Sequence, residues 1–338
     1  MLESARRNEE ISLLPSSADG EFVVFENVDL GKYTCMKTGG LARKIVYPRT
    51  VDALVSIVTD CNGSGRRFRI IGNTSNLLFQ DGTDYSLLIC TTWLDDISFR
   101  DGELVAECGA SVPELSRQAL YNAQTGFEGL EGIPGTVGAG VFMNAGAYGS
   151  EIKDTLVSFD FLHDDGKVER LPASRLGLDH RSSAIREGTL KGTILRCYFK
   201  GRPGNVRSIY KKMEIYHEKR HRYQDFLYPN LGSLFSGSIY NAVARQDRSV
   251  RLMMKYDLWR RRFMKYFLKG TPTDRTFLNE YMVKRCRLDF DIQPFSDKTM
   301  NCLVNRGQGT EAMVEYIRNI QALTKGRIPL ENEIMDGF

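Results

Sequence analysis

The chain has 338 residues, of which 42% are hydrophobic and 26% charged, with 46 Lys and Arg against 42 Asp and Glu. This length predicts two or three domains with a sizeable core, and the composition excludes a disordered or low-complexity chain. No apolar stretch approaches the roughly 18–20 residues of a membrane span, and the N-terminus lacks the apolar region of a signal peptide. We therefore expect a cytoplasmic protein without a membrane span.

Cysteine spacing bears on disulfides and metal binding, and the charge distribution bears on the ligands that the chain attracts. The seven cysteines are widely spaced, and none of the four histidines stands at ligand spacing from one. We therefore expect reduced, mostly buried thiols and no metal site. Residues 202–269 hold 16 basic and 5 acidic residues, a local charge of +11, so the rest of the chain carries −7. Such a segment attracts anions, whose chemical class the charge leaves open.

The first part of the chain predicts alternating strands, helices and turns. Thr50 is typical of a helix N-cap, the apolar positions at 51–58 lie on one helical face, and Gly63 ends the helix. Residues 68–71 (FRII) predict a buried strand, which is followed by the polar turn Gly72–Asn76.

Later segments carry similar signals. Alternating apolar residues at 104–108 predict a half-buried strand. Ser111 and Glu114 predict a capping box that opens a helix through Leu120. The last helix is predicted at about 310–323, with an inward face consisting of Met313, Tyr316, Ile317 and Ile320.

A change in composition at Gly201–Gly204 predicts a domain boundary. Beyond it, six apolar residues recur at helical spacing and predict a buried helix face, with Arg260–Arg262 mostly pointing elsewhere. Gly270–Pro272 is expected to end that helix. The six residues are Leu252, Tyr256, Trp259, Phe263, Tyr266 and Phe267.

The centre of the chain is rich in glycine, with seven glycines from Gly129 to Gly149. These let the backbone approach another group closely. Pro134 is expected in the first turn of a helix whose free N–H groups attract phosphate. The spacing matches neither a dinucleotide-binding G-x-G-x-x-G nor a P-loop. A tightly packed glycine turn without a ligand is the alternative.

Six segments together resemble one enzyme family. The segment GLEGIPGTVGAGVFMNAGAYGSEI is similar to the flavin-binding signature of the UDP-N-acetylenolpyruvoylglucosamine reductases, also called MurB. Five further segments follow in the family's order, so the resemblance runs from about residue 33 to 333. They are Tyr33–Ala42, Gly72–Leu78, His180–Ser183, Pro229–Ser233 and Leu330–Glu333.

The resemblance implies an α+β protein. Its expected fold is the FAD-binding fold of the vanillyl-alcohol-oxidase or PCMH type, with two subdomains, followed by a MurB-type C-terminal α/β substrate domain. Residues 239–290, an atypical basic segment, have no counterpart that we can align. The predicted divisions are an N-terminal extension (1–20), FAD-binding subdomains 1 (21–88) and 2 (89–201), and the substrate domain (202–338).

FAD and NADPH are the cofactors that the resemblance implies. Two groups of residues are expected at the FAD pyrophosphate, where oriented N–H groups suit an anion. A third group is expected beneath the flavin. In that order they are Gly72, Asn73, Thr74, Ser75 and Asn76; Ile133, Pro134, Gly135, Thr136, Gly138 and Ala139; and Asn144, Gly146 and Ala147.

The family's reaction passes a hydride from NADPH, through FAD, to an enolpyruvyl double bond. By position, Ser233 is expected to protonate the adjacent carbon, while Arg181 and Glu333 stabilise the enolic carboxylate. These residue types suit those tasks. Arginine is a permanently charged, bidentate partner for a carboxylate, and a positioned hydroxyl can deliver a proton.

Departures from the family pattern concentrate on the substrate side. His180 stands in place of a tyrosine, and Tyr223 in place of a lysine that would neutralise a diphosphate. Arg222 is a candidate to compensate, so these three residues are our predicted substrate contacts. Asn332 replaces a proline, and Thr74 replaces the second glycine of a G-x-G turn. The FAD-binding part of the chain retains the family pattern, whereas the substrate-binding part departs from it, as in a divergent paralogue.

Three functions remain open at this point. The first is reduction of the MurB substrate, a nucleotide sugar, by a monomeric enzyme of peptidoglycan synthesis. The second is a MurB-like flavoenzyme that reduces or oxidises a different compound. The third is a basic module that binds nucleic acid or an anionic membrane through residues 202–269. No nucleic-acid motif accompanies that charge, and its aromatic residues have core spacing, so we predict no nucleic-acid partner.

Overall fold

The computed structural model describes residues 13–14, 20–267 and 275–338, so most of the predicted N-terminal extension lies outside the described residues. Within them the chain forms two five-stranded sheets and a separate C-terminal layer of helices on a small sheet. None of the described helices is long and apolar enough to cross a membrane.

The first sheet combines antiparallel and parallel strands. Strands β2 and β3 pair antiparallel, whereas β3, β6 and β4 are parallel neighbours. Two helices, α1 (Leu30–Tyr33) and α2 (Val51–Gly63), belong to this part of the chain. From edge to edge the strands are β1 (Leu13–Leu14), β2 (Phe22–Asp29), β3 (Leu41–Pro48), β6 (Leu88–Cys90) and β4 (Arg69–Ile71).

The second sheet is antiparallel and shares a hydrophobic core with α2. Fully buried phenylalanines such as Phe159, Phe161 and Phe199 fill it. Helices α3 (Val112–Tyr121) and α4 (Val137–Phe142) pack on the same core. The strands in order are β13 (Val168–Pro172), β12 (Leu156–His163), β14 (Gly192–Phe199), β8 (Glu103–Glu107) and β7 (Ile97–Arg100).

The C-terminal part begins with α5 (Val206–Tyr223), and its core also includes Met36 and Leu78 from the first part of the chain. A three-stranded sheet of β16 (Asn230–Ser233), β18 (Thr299–Val304) and β17 (Phe295–Ser296) is covered by helices. The helices that follow α5 are α6 (Ile239–Ala244), α7 (Arg248–Phe267), α8 (Thr276–Cys286) and α9 (Gly309–Thr324).

Short pairings connect these parts. The C-terminal strand β19 (Glu333–Met335) pairs in parallel with β5 (Leu77–Phe79), which lies in the first quarter of the chain. This pairing returns the chain end to the strand that follows the Gly72–Asn76 turn. Two other two-stranded pairs are β9 (Gln124–Thr125) with β15 (Arg202–Pro203), and β10 (Gly146–Ala147) with β11 (Ser150–Glu151).

Several predicted elements are confirmed. The Thr50 hydroxyl accepts a hydrogen bond from the Ala53 amide at 3.1 Å, and α2 ends at Gly63. Residues 69–71 and 103–107 are strands, and the four predicted inward residues of α9 are buried. All seven cysteines are free thiols, five of them buried.

Three local predictions are wrong. Ser111 precedes α3 but its side chain makes no capping hydrogen bond, and Glu114 accepts hydrogen bonds from Arg117 and Gln118 on the helix surface. Pro134 does not begin a helix: α4 starts at Val137 after Thr136, and the proline belongs to the preceding turn.

The third wrong prediction concerns α7, whose predicted apolar inward face is exposed to solvent. Trp259 and Phe267 are 59% and 72% exposed, whereas Asp257 is fully buried. Asp257 forms ion pairs with Arg260 at 3.0 Å and Arg261 at 2.8 Å. Paired charges therefore face the protein. The predicted stop at Gly270–Pro272 lies outside the described residues.

The predicted boundary at Gly201–Gly204 falls between β14, which ends at Phe199, and α5, which begins at Val206. The division of the chain into the four predicted parts stays a prediction.

Candidate active site

A cavity of about 570 Å³ is lined by residues of both large sheets. Two glycine-containing turns form much of its wall, Gly72–Asn76 after β4 and Gly135–Ala139 before and within α4. Strand β14 contributes its first residues, and Glu333 arrives from β19. The other lining side chains include Val58, Phe68, Arg69, Thr91, Phe142, Met143, Asp164 and Arg186.

The first turn is held from behind by the loop that follows α1. Thr74 adopts a left-handed backbone with φ of 53°, and its hydroxyl accepts a hydrogen bond from the Cys35 amide at 2.9 Å. The Cys35 thiol donates to the Asn73 carbonyl, also at 2.9 Å. These two contacts fix a turn in which a β-branched residue takes a conformation that favours glycine.

The second turn is tied to the first. Ser75 donates its hydroxyl hydrogen to the Pro134 carbonyl at 2.7 Å, and the Gly138 amide donates to the Cys108 carbonyl at 2.7 Å. A Cβ atom on Gly72 would collide with the Thr136 side chain. The glycine therefore permits close approach of the two turns, which leaves their backbones facing one cavity.

Some predicted cofactor residues support neighbouring loops instead of lining the cavity. Asn144 is fully buried, and its amide donates to Glu151 at 3.1 Å and to the Asp179 carbonyl at 2.9 Å. The Gly146 carbonyl accepts a hydrogen bond from Arg181 at 2.8 Å. The predicted cofactor residues that do not line the cavity are Ile133, Pro134, Asn144, Gly146 and Ala147, and the predicted catalytic residues Arg181 and Ser233 do not line it either.

The three predicted catalytic residues approach one another through a C-terminal tripeptide, Glu331–Glu333. Its first residue, Glu331, pairs with Arg181 at 3.3 Å. Arg181 lies in a tight turn with φ of 53°, and it also donates to the Asn144 carbonyl at 3.3 Å. The arginine is therefore held in a fixed position beside the glycine-rich segment.

The second residue, Asn332, connects the substrate side to the first turn. Its buried amide nitrogen lies 2.8 Å from Asn76 Oδ1, 3.3 Å from the Leu231 carbonyl and 3.4 Å from the Ser233 carbonyl. Ser233 itself is exposed at the end of β16. The asparagine that replaces the family's proline therefore ties the strand of Ser233 to the Gly72–Asn76 turn.

The third residue, Glu333, lines the cavity directly. Burial raises the pKa of its carboxyl group, although Arg69 at 3.5 Å and Arg186 at 3.8 Å act in the opposite direction. Glu333 is thus paired with these two arginines, while Arg181 pairs with Glu331. Arg186 also donates a hydrogen bond to the Arg181 carbonyl, and this contact connects Arg181 to the ion pairs of Glu333.

Sequence reasoning missed Arg69 and Arg186. Arg186 follows shortly after Arg181, which was the available signal, whereas Arg69 had none beyond its place at the start of a predicted strand. Arg220 was also missed. It is buried, donates to the Glu131 carbonyl at 2.9 Å, and burial lowers the pKa of its guanidinium.

Two of the three predicted substrate contacts, His180 and Arg222, lie at the surface. His180 is largely exposed, with Nδ1 3.8 Å from Glu151. Arg222 is half exposed and pairs with Glu218 at 3.2 Å, a contact within α5. Tyr223 ends α5, and its side chain lies outside the described part of the structure. In that part, no group of three or more His, Cys, Asp or Glu side chains could hold a metal ion.

Comparison with known proteins identifies the family. Residues 42–172 match the FAD binding domain family. UDP-N-acetylenolpyruvoylglucosamine reductases from Pediococcus pentosaceus and Lactococcus lactis are each 35% identical to the chain, over 64% and 67% of it and over 71% and 75% of their own lengths. The enzyme from Caldicellulosiruptor saccharolyticus is 37% identical, over 61% of the chain and 66% of its own length.

The chain belongs to the UDP-N-acetylenolpyruvoylglucosamine reductase family. The crystal structure of the MurB enzyme from Thermus caldophilus supports the same fold, with a TM-score of 0.65 at 23% identity over 91% of this chain and 98% of that one. The α+β, FAD-binding fold expected from the sequence is confirmed, and the chain is an FAD-dependent oxidoreductase.

The cavity fits FAD in the backbone chemistry of its lining. Two turns whose glycines permit close packing face it, and Gly135 has a φ of 143° that other residues rarely adopt. Backbone turns of this kind offer N–H groups to a pyrophosphate. Gly72–Asn76 and Gly135–Ala139 would hold that group, and the apolar residues Val58, Phe68 and Ile194 line another part of the same cavity.

Proposed function

We propose that this chain is an NADPH-using, FAD-dependent reductase of an enolpyruvyl double bond. The proposed substrate is the enolpyruvyl ether of UDP-N-acetylglucosamine, and the reaction serves peptidoglycan precursor synthesis in the cytoplasm. The observation that carries this proposal is the Glu331–Glu333 tripeptide, which connects Arg181, Ser233 and a cavity-lining carboxyl group. We further propose that the enzyme acts as a monomer.

FAD, when bound, supplies the redox chemistry that carries a hydride from NADPH to one carbon of the double bond. The chain's own residues complete the reduction. The Ser233 hydroxyl gives a proton to the other carbon and regains one from solvent, so that two electrons and two hydrogens are added in all. Arg181, fixed by Glu331 and the Gly146 carbonyl, attracts the substrate carboxylate.

Glu333 has a different task in this proposal. Its partly buried carboxyl group lies beside Arg69 and Arg186, burial raises its pKa, and we propose that it takes part in the reaction in the protonated form. A protonated carboxyl group can donate a hydrogen bond to the carboxylate as charge develops on it. Such preorganised donors usually make the largest contribution to lowering the barrier.

Ser233→Ala tests the proposal directly. Under anaerobic conditions we expect flavin reduction by NADPH to stay within about twofold of wild type, while reoxidation by the enolpyruvyl acceptor slows by roughly a hundredfold or more. The visible absorbance of bound FAD in a stopped-flow instrument follows both steps. Ser236→Ala, on a neighbouring residue, is the matched control and should change neither. Unaltered reoxidation in Ser233→Ala would remove Ser233 from the mechanism.

A second candidate function is reduction or oxidation of a different substrate in a specialised biosynthetic pathway. It is favoured by the substrate side of the chain, where Arg222 is engaged by Glu218 and Tyr223 replaces a lysine. Turnover of acceptors with and without the UDP group separates the two. A large preference for the UDP-linked acceptor supports the first function, whereas equal efficiency supports the second.

A further inference from the structure

Helix α7 presents an aromatic surface to solvent. We define the aromatic ridge as Tyr256, Trp259, Phe263 and Phe267, whose rings succeed one another along the helix with centroid separations of 6.1, 5.5 and 4.5 Å. Their side chains are between 44% and 72% exposed. Contiguous exposed apolar surface, unlike single exposed side chains, typically marks a binding face.

The opposite side of the helix is buried. Asp257 is fully buried and pairs with Arg260 and Arg261, while Val250 belongs to the C-terminal core and Met254 packs against it. Rotating α7 to bury the ridge would expose the apolar side chains of Val250 and Met254, which pack in the core. The outward position of the rings therefore follows from how the opposite face packs.

Basic residues flank the ridge. Four of them succeed one another at intervals of three, four and seven residues, so they form a stripe along the same helix, and all four are exposed. The helix has a single acidic residue, the buried Asp257. Its solvent-facing surface therefore carries positive charge only. The stripe consists of Arg248, Arg251, Lys255 and Arg262.

We propose that α7 is an interfacial helix that docks on an anionic lipid surface. Its aromatic ridge would enter the boundary between headgroups and acyl chains while the basic stripe contacts acidic headgroups. Stacking among Trp259, Phe263 and Phe267 favours lipid over nucleic acid, because the rings cover one another and leave no gap for bases between them. This proposal does not depend on the proposed reaction.

Vesicle sedimentation of the FAD-bound full-length protein tests the proposal. We expect binding to phosphatidylcholine vesicles that contain phosphatidylglycerol, weak binding to pure phosphatidylcholine, and loss of affinity as salt rises. The double variant Trp259→Ser/Phe263→Ser should bind at least tenfold more weakly. Tyr121→Ser, which removes an exposed aromatic ring from α3, is the matched control and should bind as wild type does.

A charge-reversal pair and fluorescence complete the test. Lys255→Glu/Arg262→Glu should also weaken binding at least tenfold, whereas Arg66→Glu/Arg67→Glu makes the same change in net charge away from α7 and should have little effect. The chain has two tryptophans, Trp93 and Trp259. Vesicles should shift the emission to shorter wavelength in wild type and not in Trp259→Phe.

Three outcomes would overturn the proposal. The first is absence of binding to phosphatidylglycerol vesicles by a protein that retains FAD. The second is equal loss of binding in the Arg66 and Lys255 charge-reversal pairs. The third is an interaction of the ridge with a different partner, in the absence of any binding to vesicles. It would be seen as binding of a generic DNA duplex, or as a dimer in size-exclusion chromatography, that Trp259→Ser/Phe263→Ser abolishes.

Discussion

Thr74 shows how one side chain can offset a strained backbone. The residue has a left-handed backbone with a φ of 53°. In a residue with a Cβ atom, this conformation costs on the order of 1–2 kcal/mol. The hydroxyl compensates by accepting the Cys35 amide hydrogen, which holds the turn against the loop after α1. The family's glycine would avoid the strain but could not make this hydrogen bond.

Two substitutions at Thr74 separate the hydrogen bond from the strain. Thr74→Val keeps the β-branched shape and removes the acceptor, so we expect the free energy of unfolding to fall by about 1–2 kcal/mol, with weaker FAD binding. Thr74→Ser keeps the hydroxyl and should stay within about 0.5 kcal/mol of wild type. Urea denaturation and FAD titration measure both effects. A valine variant as stable as the serine variant would contradict this role of the hydroxyl.

Glu333 couples stability to pH. Because its pKa in the folded protein is raised, protonation stabilises the fold; that contribution is complete below the unfolded-state pKa and is lost as pH rises through the folded-state pKa. Glu333→Gln, which stays neutral, should therefore equal or exceed wild type in stability at about pH 7.5, and the difference should vanish near pH 4. Denaturation at both pH values measures it. A variant less stable than wild type at the higher pH would show that ion pairing with Arg69 and Arg186 dominates instead.

At the scale of elements, sequence patterns predicted the helices whose signals lie in consecutive residues. Helix α2 was found from its Thr50 cap and apolar spacing, and α9 from its inward face, because both features are properties of consecutive residues. The orientation of α7 was not predictable in this way. Aromatic spacing shows that Trp259 and Phe263 share a face, but which face of α7 is buried depends on how Val250 and Met254 pack against the rest of the C-terminal part.

The ion pairs of Asp257 should contribute more to the free energy of unfolding than an exposed ion pair does. Asp257→Ala would leave the two partner arginines without their buried carboxylate. Breaking a buried pair in this way typically costs about 3–5 kcal/mol. Glu218→Ala removes an exposed i,i+4 ion pair from α5 and should cost less than about 1 kcal/mol. Chemical denaturation of both variants makes the comparison. Equal, small losses would show that the Asp257 pairs contribute no more to stability than an exposed ion pair does.

At the scale of the whole molecule, the site is made by pairings that are distant in sequence. Two glycine turns from different parts of the chain meet through Ser75 and Pro134, and the chain end returns through β19 beside β5. The resemblance placed Gly72–Asn76, Gly135–Ala139 and Glu333 at one site, and all three line the cavity. It could not reveal that Glu333 faces Arg69 and Arg186, because that contact depends on how β19, β4 and the Arg181 loop pack together.

Binding of FAD should stabilise both sheets together, since the cavity is lined by residues of each. A ligand present at a hundred times its dissociation constant adds about 2.7 kcal/mol to the free energy of unfolding. We expect FAD at that concentration to raise the free energy of unfolding of the apoprotein by this amount. Riboflavin should raise it far less, because it lacks the pyrophosphate that the two turns would hold. Thermal denaturation with each ligand measures the gain. Equal stabilisation by riboflavin would contradict the role of the turns.

The most direct test of the proposed reaction follows one flavin through an anaerobic half-cycle. Protein with bound FAD is reduced by a stoichiometric amount of NADPH, and the enolpyruvyl ether of UDP-N-acetylglucosamine is then added while the visible flavin absorbance is recorded. We expect bleaching by NADPH, full recovery of absorbance on addition of the acceptor, and formation of one lactyl ether per flavin. A flavin that NADPH reduces but that this acceptor cannot reoxidise would contradict the proposed reaction.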